Sequence, residues 1–123
     1  DKEIKEFKLP IIIEEKILTL NTKDFLNALK NVLKEFYSVA VQERAKRAGI
    51  GKLRGRKYKK NAGALFIISK TENIKMKGIE IVKSNELTVS HLADNGARLV
   101  FFSEKAIKDL EAVKENKIKE KKI

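Results

Sequence analysis

Two short runs of apolar residues constrain what this 123-residue chain can fold into. In Leu9-Pro10-Ile11-Ile12-Ile13-Glu14 three isoleucines stand side by side, and Leu65-Phe66-Ile67-Ile68-Ser69 repeats the pattern further on. A strand with one wet face alternates apolar and polar residues. A strand covered on both faces does not, and such strands belong to parallel sheets flanked by helices. Both runs are too short for a helix, and Pro10, which lacks a backbone N–H, fits only at a strand's start. Gly78–Val82 and Arg98–Phe102 read as two further strands.

Helical patterns separate these runs. Phe25, Leu26, Leu29, Val32, Leu33 and Phe36 recur along one wide stripe of a helix, with Asn21 or Thr22 as its cap and Asp24 in its first turn. Tyr37–Ala48 reads as a second, more polar helix ending near Gly49. Ser84 is placed to cap a short helix through about Leu92, and Asp94-Asn95-Gly96 signals a turn. Ser103 and Glu104 open a last helix through about Val113, followed by a Lys/Glu-rich tail that reads as fraying. Strand and helix alternate. This predicts an α/β fold, a three-layer α/β/α sandwich with a mostly parallel four-stranded sheet. One domain over residues 1–113 and a tail over 114–123 account for the whole chain, with a basic loop at 44–62 inserted in the domain.

Charge is distributed unevenly. The chain carries 28 Lys and Arg against 17 Asp and Glu, a net +11. Nine of the basic residues lie between Arg44 and Lys60, where no acidic residue occurs. Another five, with two acidic residues, lie between Lys114 and Lys122. The rest holds fourteen basic and fifteen acidic residues and is nearly neutral. Basicity concentrated on a neutral body points to a polyanionic partner. The absence of cysteine excludes disulfides, thiolate metal sites and a cysteine nucleophile, and it fits a reducing compartment. No apolar run approaches the roughly 18 residues that span a bilayer, so no membrane partner is expected. The first eight residues are charged, lack a signal-peptide core and do not begin with Met, which reads as a fragment or a processed chain.

The basic segment carries the functional argument. Arg44, Lys46, Arg47, Lys52, Arg54, Arg56, Lys57, Lys59 and Lys60 repel one another in isolation. RNA phosphates relieve that repulsion and release counterions. Arginine's planar fork suits phosphates and base edges. Gly49, Gly51 and Gly55 let the backbone approach RNA closely, and Tyr58 offers a ring for stacking or a hydroxyl for phosphate. Arg98, a basic residue beside a strand, joins this set, with a plain surface residue as the alternative. The Lys-rich tail reads either as a source of nonspecific contacts or as a solvated helix end.

Nucleotide-binding loops do not fit the spacing. Gly55 comes one residue too late for a dinucleotide fingerprint after Gly49 and Gly51, and the segment follows a helical pattern rather than a strand. Lys52 is followed by Leu53 instead of Ser or Thr, which excludes a phosphate-cradling P-loop. His91 is the only histidine and reads as a packed or surface residue. Glu14 and Glu15, adjacent at a strand end, point to opposite faces, a poor geometry for shared acid/base work. Ser69, Ser84, Ser90 and Ser103 lack a nucleophile's context. No enzyme, cofactor, metal or small-molecule substrate is expected.

The central stretch Arg-Ala-Gly-Ile-Gly-Lys-Leu-Arg-Gly-Arg-Lys-Tyr-Lys-Lys, Arg47 to Lys60, resembles the R-[SA]-G-K-G-K-M-R-G-R-[RK]-Y-K signature of the large-subunit ribosomal protein L-four family, archaeal and eukaryotic type. Leu9–Ile13 and Ala64–Ile68 are similar to the family's strands on either side of that motif. Leu92-Ala93, Asn95-Gly96 and Arg98-Leu99 are similar to its L-A-P-G-G-H-x-G-R-L segment, and Ser103-x-x-Ala106-Ile107 to the start of its last helix. Departures are Ile50 for a usual Lys, an R-N-x-P-G segment of which Ile74–Gly78 keeps only Gly78, Asp94 where Pro is usual, and a missing G-H pair before Arg98. The resemblance covers roughly Leu9–Leu110, the family's C-terminal portion, without its first strand and tunnel extension. It implies a structural protein of the large subunit, binding rRNA beside neighbouring ribosomal proteins in the cytoplasm. The residues alone leave two other readings open: an RNA-binding or RNA-processing module outside the ribosome, and a small α/β enzyme for a phosphorylated ligand.

Overall fold

The apolar runs form strands, and the helices between them cover both sides of one sheet. A computed structural model describes residues 10–41, 45–59, 62–76, 78–94 and 98–121. Four strands, β1 (Ile11–Ile13), β4 (Leu65–Ile68), β5 (Glu80–Lys83) and β6 (Val100–Ser103), lie in the order β1-β6-β4-β5, and every neighbouring pair is parallel. Two further strands, β2 (Ala45–Lys46) and β3 (Tyr58–Lys59), make a separate antiparallel ribbon. The helices are α1 (Glu15–Leu18), α2 (Thr22–Leu33), α3 (Tyr37–Ala40), α4 (Val89–Leu92) and α5 (Glu104–Lys121), with 3₁₀ turns at Lys34–Phe36 and Ile50–Leu53.

The pleat of the central strands divides the core in two. Phe66 and Phe101 point to one face, where they meet Phe25, Leu29 and Leu33 of α2 and Ala40 of α3. Phe66 stacks on Phe101 at a ring separation of 4.7 Å and meets Phe25 edge-on at 5.3 Å. Leu65, Ile67 and Val82 point to the other face, where they pack on Ala106 of α5. All four residues of β4 are buried, as an unbroken apolar run requires. The result is the three-layer α/β/α sandwich anticipated from the sequence.

Some boundaries differ from the sequence reading. Ile13 is buried but Ile12 is 54% exposed, because β1 is an edge strand and only one of its faces is covered. The polar helix expected over Tyr37–Ala48 stops at Ala40, and Ala45 and Lys46 enter the ribbon. Thr88 caps α4 in place of Ser84, whose hydroxyl donates instead to Asp109 at 3.3 Å. Ser103 accepts from Ala106 N–H at 3.2 Å and caps α5, which continues past Val113 to Lys121. The Asn95-Gly96 part of the expected turn lies outside the described residues.

The carboxyl ends of the parallel strands, where open α/β sheets usually hold ligands, are occupied by the protein's own side chains. Ser69 Oγ donates to Asp109 Oδ2 at 2.5 Å, and Ser103 Oγ donates to Glu72 Oε2 at 2.8 Å. The Ser69 and Lys70 backbone N–H groups donate to Glu72 (2.9 Å) and Asp109 (3.3 Å) respectively. The hydrogen bond from Ser69, above all, holds the Asp109 carboxyl below its usual range; the Lys70 N–H, Ser84 and the Lys70 charge add to this, against desolvation. At the edge of the same face Lys105 meets Glu15 at 2.8 Å, and that hydrogen bond raises the lysine's pKa.

Candidate nucleic-acid interface

The basic segment is a short β-ribbon closed by a 3₁₀ turn, not the irregular loop read from the sequence. Its ladder pairs Ala45 with Lys59 and Lys46 with Tyr58, and Arg47 N–H extends it to the Lys57 carbonyl at 2.9 Å. At the tip the Gly51 carbonyl accepts from both Arg54 N–H (3.3 Å) and Arg56 N–H (3.2 Å). Gly49 at φ +80° and Gly55 at φ +76° make the bends into and out of this turn, a conformation that a Cβ disfavours. Gly51 has a different role. A Cβ there would lie 2.9 Å from Arg47 Cδ, so its bareness lets the Arg47 stem fold across the turn. Arg47 Nε then donates to the Arg56 carbonyl at 3.2 Å.

Lys46, Lys52, Arg54, Arg56, Lys57 and Lys59 are all exposed, and Arg47 is half-buried. Among the described residues the ion pairs are Arg98–Glu80 and Lys105–Glu15, neither on the ribbon. Tyr58 is 42% exposed, and the Lys57 ammonium sits 5.7 Å from its ring centre. The ribbon thus brings together Lys46, Arg47, Gly49, Gly51, Lys52, Arg54, Gly55, Arg56, Lys57, Tyr58 and Lys59 as one unpaired cationic surface. Arg44 and Lys60 lie outside the described residues.

Arg98 does not share that surface. Its side chain is 2% exposed and lies among backbone carbonyls at the ribbon's root. Nε donates to Gly63 O (3.2 Å), Nη1 to His91 O (2.9 Å), and Nη2 to Ala62 O (2.9 Å) and Glu80 Oε2 (2.9 Å). Nη2 has two hydrogens and a third acceptor, so its 3.4 Å approach to Ala64 O is the weakest contact. The two legs of the ribbon are also joined directly, by Ala64 N–H on the Ala40 carbonyl at 2.7 Å. The sequence reading placed Arg98 among the RNA contacts. Its guanidinium instead faces protein oxygens, and its role is to fix where the ribbon leaves the body. Only the fold brings Ala62, Gly63, His91 and Glu80 around it, so no local signal distinguished it from a surface arginine.

No group of three His, Cys, Asp or Glu among the described residues could hold a metal ion. No described helix is long and apolar enough to cross a membrane.

Fold and site define a parallel α/β sandwich that carries a cationic ribbon, with no ion pair among the ribbon's described residues. No protein-family model matches the chain. Individual proteins do. It is 35% identical over 114 residues to the large ribosomal subunit protein uL4 of Thermoplasma acidophilum, a match that takes in 86% of the chain and 45% of that protein. It is 34% identical over 110 residues to uL4 of Sulfurisphaera tokodaii (80% and 41%) and 34% identical over 113 residues to uL4 of Methanoregula boonei (86% and 46%). The chain is similar to these archaeal uL4 proteins and spans less than half the length of the curated proteins it matches.

Proposed function

We propose that this chain is a structural, rRNA-binding component of the large ribosomal subunit, acting in the cytoplasm beside neighbouring ribosomal proteins and not as an enzyme. The observation that carries the reading is the ribbon: seven described cations with no acidic neighbour, on a relative of ribosomal uL4. Arg44, Lys46, Lys52, Arg54, Arg56, Lys57, Lys59 and Lys60 neutralise phosphates. Arg47 contributes its terminal N–H groups, since its Nε is committed to the ribbon. Gly49, Gly51 and Gly55 keep the tip thin enough to lie between RNA strands, and Tyr58 stacks on a base or donates to a phosphate. The body, within residues 1–113, holds the ribbon at its root through Arg98. The exposed Lys-rich end of α5, residues 114–121, adds contacts that carry no sequence preference.

The test is binding to large-subunit rRNA fragments as a function of salt, beside a size-matched unrelated RNA, together with co-sedimentation with large subunits at moderate salt. One fragment binding at least about 1,000-fold more tightly than the control, the lower end of the usual gap between specific and nonspecific affinity, supports the reading. Equal binding of both RNAs, lost alike with salt at about 0.7–0.9 log units per contact, refutes ribosomal specificity.

A further inference from the structure

The tip of the ribbon exposes apolar side chains. Leu53 is 81% exposed and Ile50 67%, while charged residues surround them. They stand three apart in the 3₁₀ turn Ile50–Leu53, and a 3₁₀ helix has three residues per turn, so their side chains eclipse and form one patch. The patch is held in shape before any partner arrives. Gly51 O closes the turn through Arg54 and Arg56, the Arg47 stem braces it, and Gly49 and Gly55 set the bends.

We infer that Ile50 and Leu53 form a base-contacting wedge: the aliphatic pair packs on the face of an unstacked base in single-stranded or looped RNA while Lys52, Arg54 and Arg56 hold the flanking phosphates. The inference rests on the RNA reading above and adds to it the part of the RNA that the tip recognises. Phosphate contacts alone give no use for two exposed aliphatic side chains, and a basic residue at either place would neutralise charge where Ile50 and Leu53 do not. Apolar side chains do discriminate when they wedge against bases, because only an unstacked or deformable step offers a bare face. The charge around the patch selects among occupants. A protein pocket that took Ile50 and Leu53 would also have to receive Lys52, Arg54 and Arg56. RNA presents an apolar base face and a phosphate within one nucleotide.

The experiment uses the full chain with two RNA probes of equal length, a stem–loop with an unpaired loop and a fully paired duplex, alongside the rRNA fragments above. Ile50→Ser with Leu53→Ser is expected to weaken stem–loop binding roughly 10- to 100-fold, as loss of one or two buried aliphatic contacts would. Duplex binding and the salt slope should stay unchanged, because no charge is removed. Lys52→Gln with Arg54→Gln should act in reverse, lowering the slope for both probes. If the serine variant binds the stem–loop as tightly as the parent, the wedge is refuted. If it weakens both probes equally, the tip acts only as a spacer and the inference also fails. Failure of the parent chain to prefer any rRNA fragment would sink the ribosomal reading instead, whichever way the tip variants behave on the stem–loop.

Discussion

Replacing Arg98 with Ala should cost more stability than any other single change to a charged residue in this protein. The side chain is 2% exposed, and its fork serves Gly63, His91 and Ala62 carbonyls as well as Glu80. Leaving a buried acceptor without its donor costs about 1 kcal/mol or more each. The bond to Glu80 adds less than a fully buried pair would, because that carboxylate is 35% exposed; about 1 kcal/mol is a fair allowance. The loss totals about 4 kcal/mol, a large share of the roughly 5–15 kcal/mol typical of a domain. With a urea slope of about 1.5 kcal/mol per molar, the unfolding midpoint should fall by about 2.7 M. Arg98→Lys keeps the charge but has no fork, and it should recover less than half of the loss. RNA affinity of the variant should fall with its salt slope intact, since the ribbon cations remain while their mounting is loosened. A midpoint shift corresponding to less than about 1 kcal/mol would show that water replaces the guanidinium at these carbonyls, and the root of the ribbon would need another explanation.

Other outcomes follow from single contacts. Phe66→Ala removes a 3%-exposed ring that touches both Phe25 and Phe101, and should cost about 3–5 kcal/mol in urea unfolding. Lys52→Gln alone should leave stability unchanged and lower the salt slope of RNA binding by about 0.7–0.9, the share of one phosphate contact. Asp109 has a folded-state pKa below its ordinary value of 3.8, so its hydrogen bonds stabilise the fold above that pH and are lost as pH falls through the lowered value. Asp109→Asn should therefore destabilise the protein at neutral pH and flatten the part of its acid unfolding that lies below about pH 5; a variant whose acid midpoint moves with the parent's would contradict this.

The sheet was legible in the sequence because its signals are local. The isoleucines of β1 and the unbroken run of β4 announce strands, though only β4 is covered on both faces, and the stripe from Phe25 to Leu33 announces the helix that covers one face of the sheet. What escaped is set by distant partners. Ala45 and Lys46 look helical beside Tyr37–Ala40, and they become a strand because Tyr58 and Lys59 return alongside them. Ser84 has the chemistry of a cap, yet Asp109 on α5 claims its hydroxyl. Tail residues 114–121 have enough Lys and Glu to extend the helix that Ser103 nucleates. The cations of the site were visible as a run in the sequence. Their mounting was not, since Arg98 is separated from the carbonyls of Ala62 and Gly63 by the whole of β4, β5 and α4.

The strand order also sets a sequence of events in folding. Among the described strands β1 pairs with β6 alone, Ile11 beside Phe101, so that pairing waits until the chain is made as far as β6. The ribbon closes between Ala45 and Lys59, a short local loop, and needs no other strand to form its ladder. β6, the last of the described strands in chain order, lies between β1 and β4, and the residue that clamps the ribbon's root, Arg98, precedes it by two positions. Completion of the sheet and clamping of the ribbon's root by Arg98 are therefore coupled to one step, before which the root is held by the Ala64–Ala40 hydrogen bond without the guanidinium.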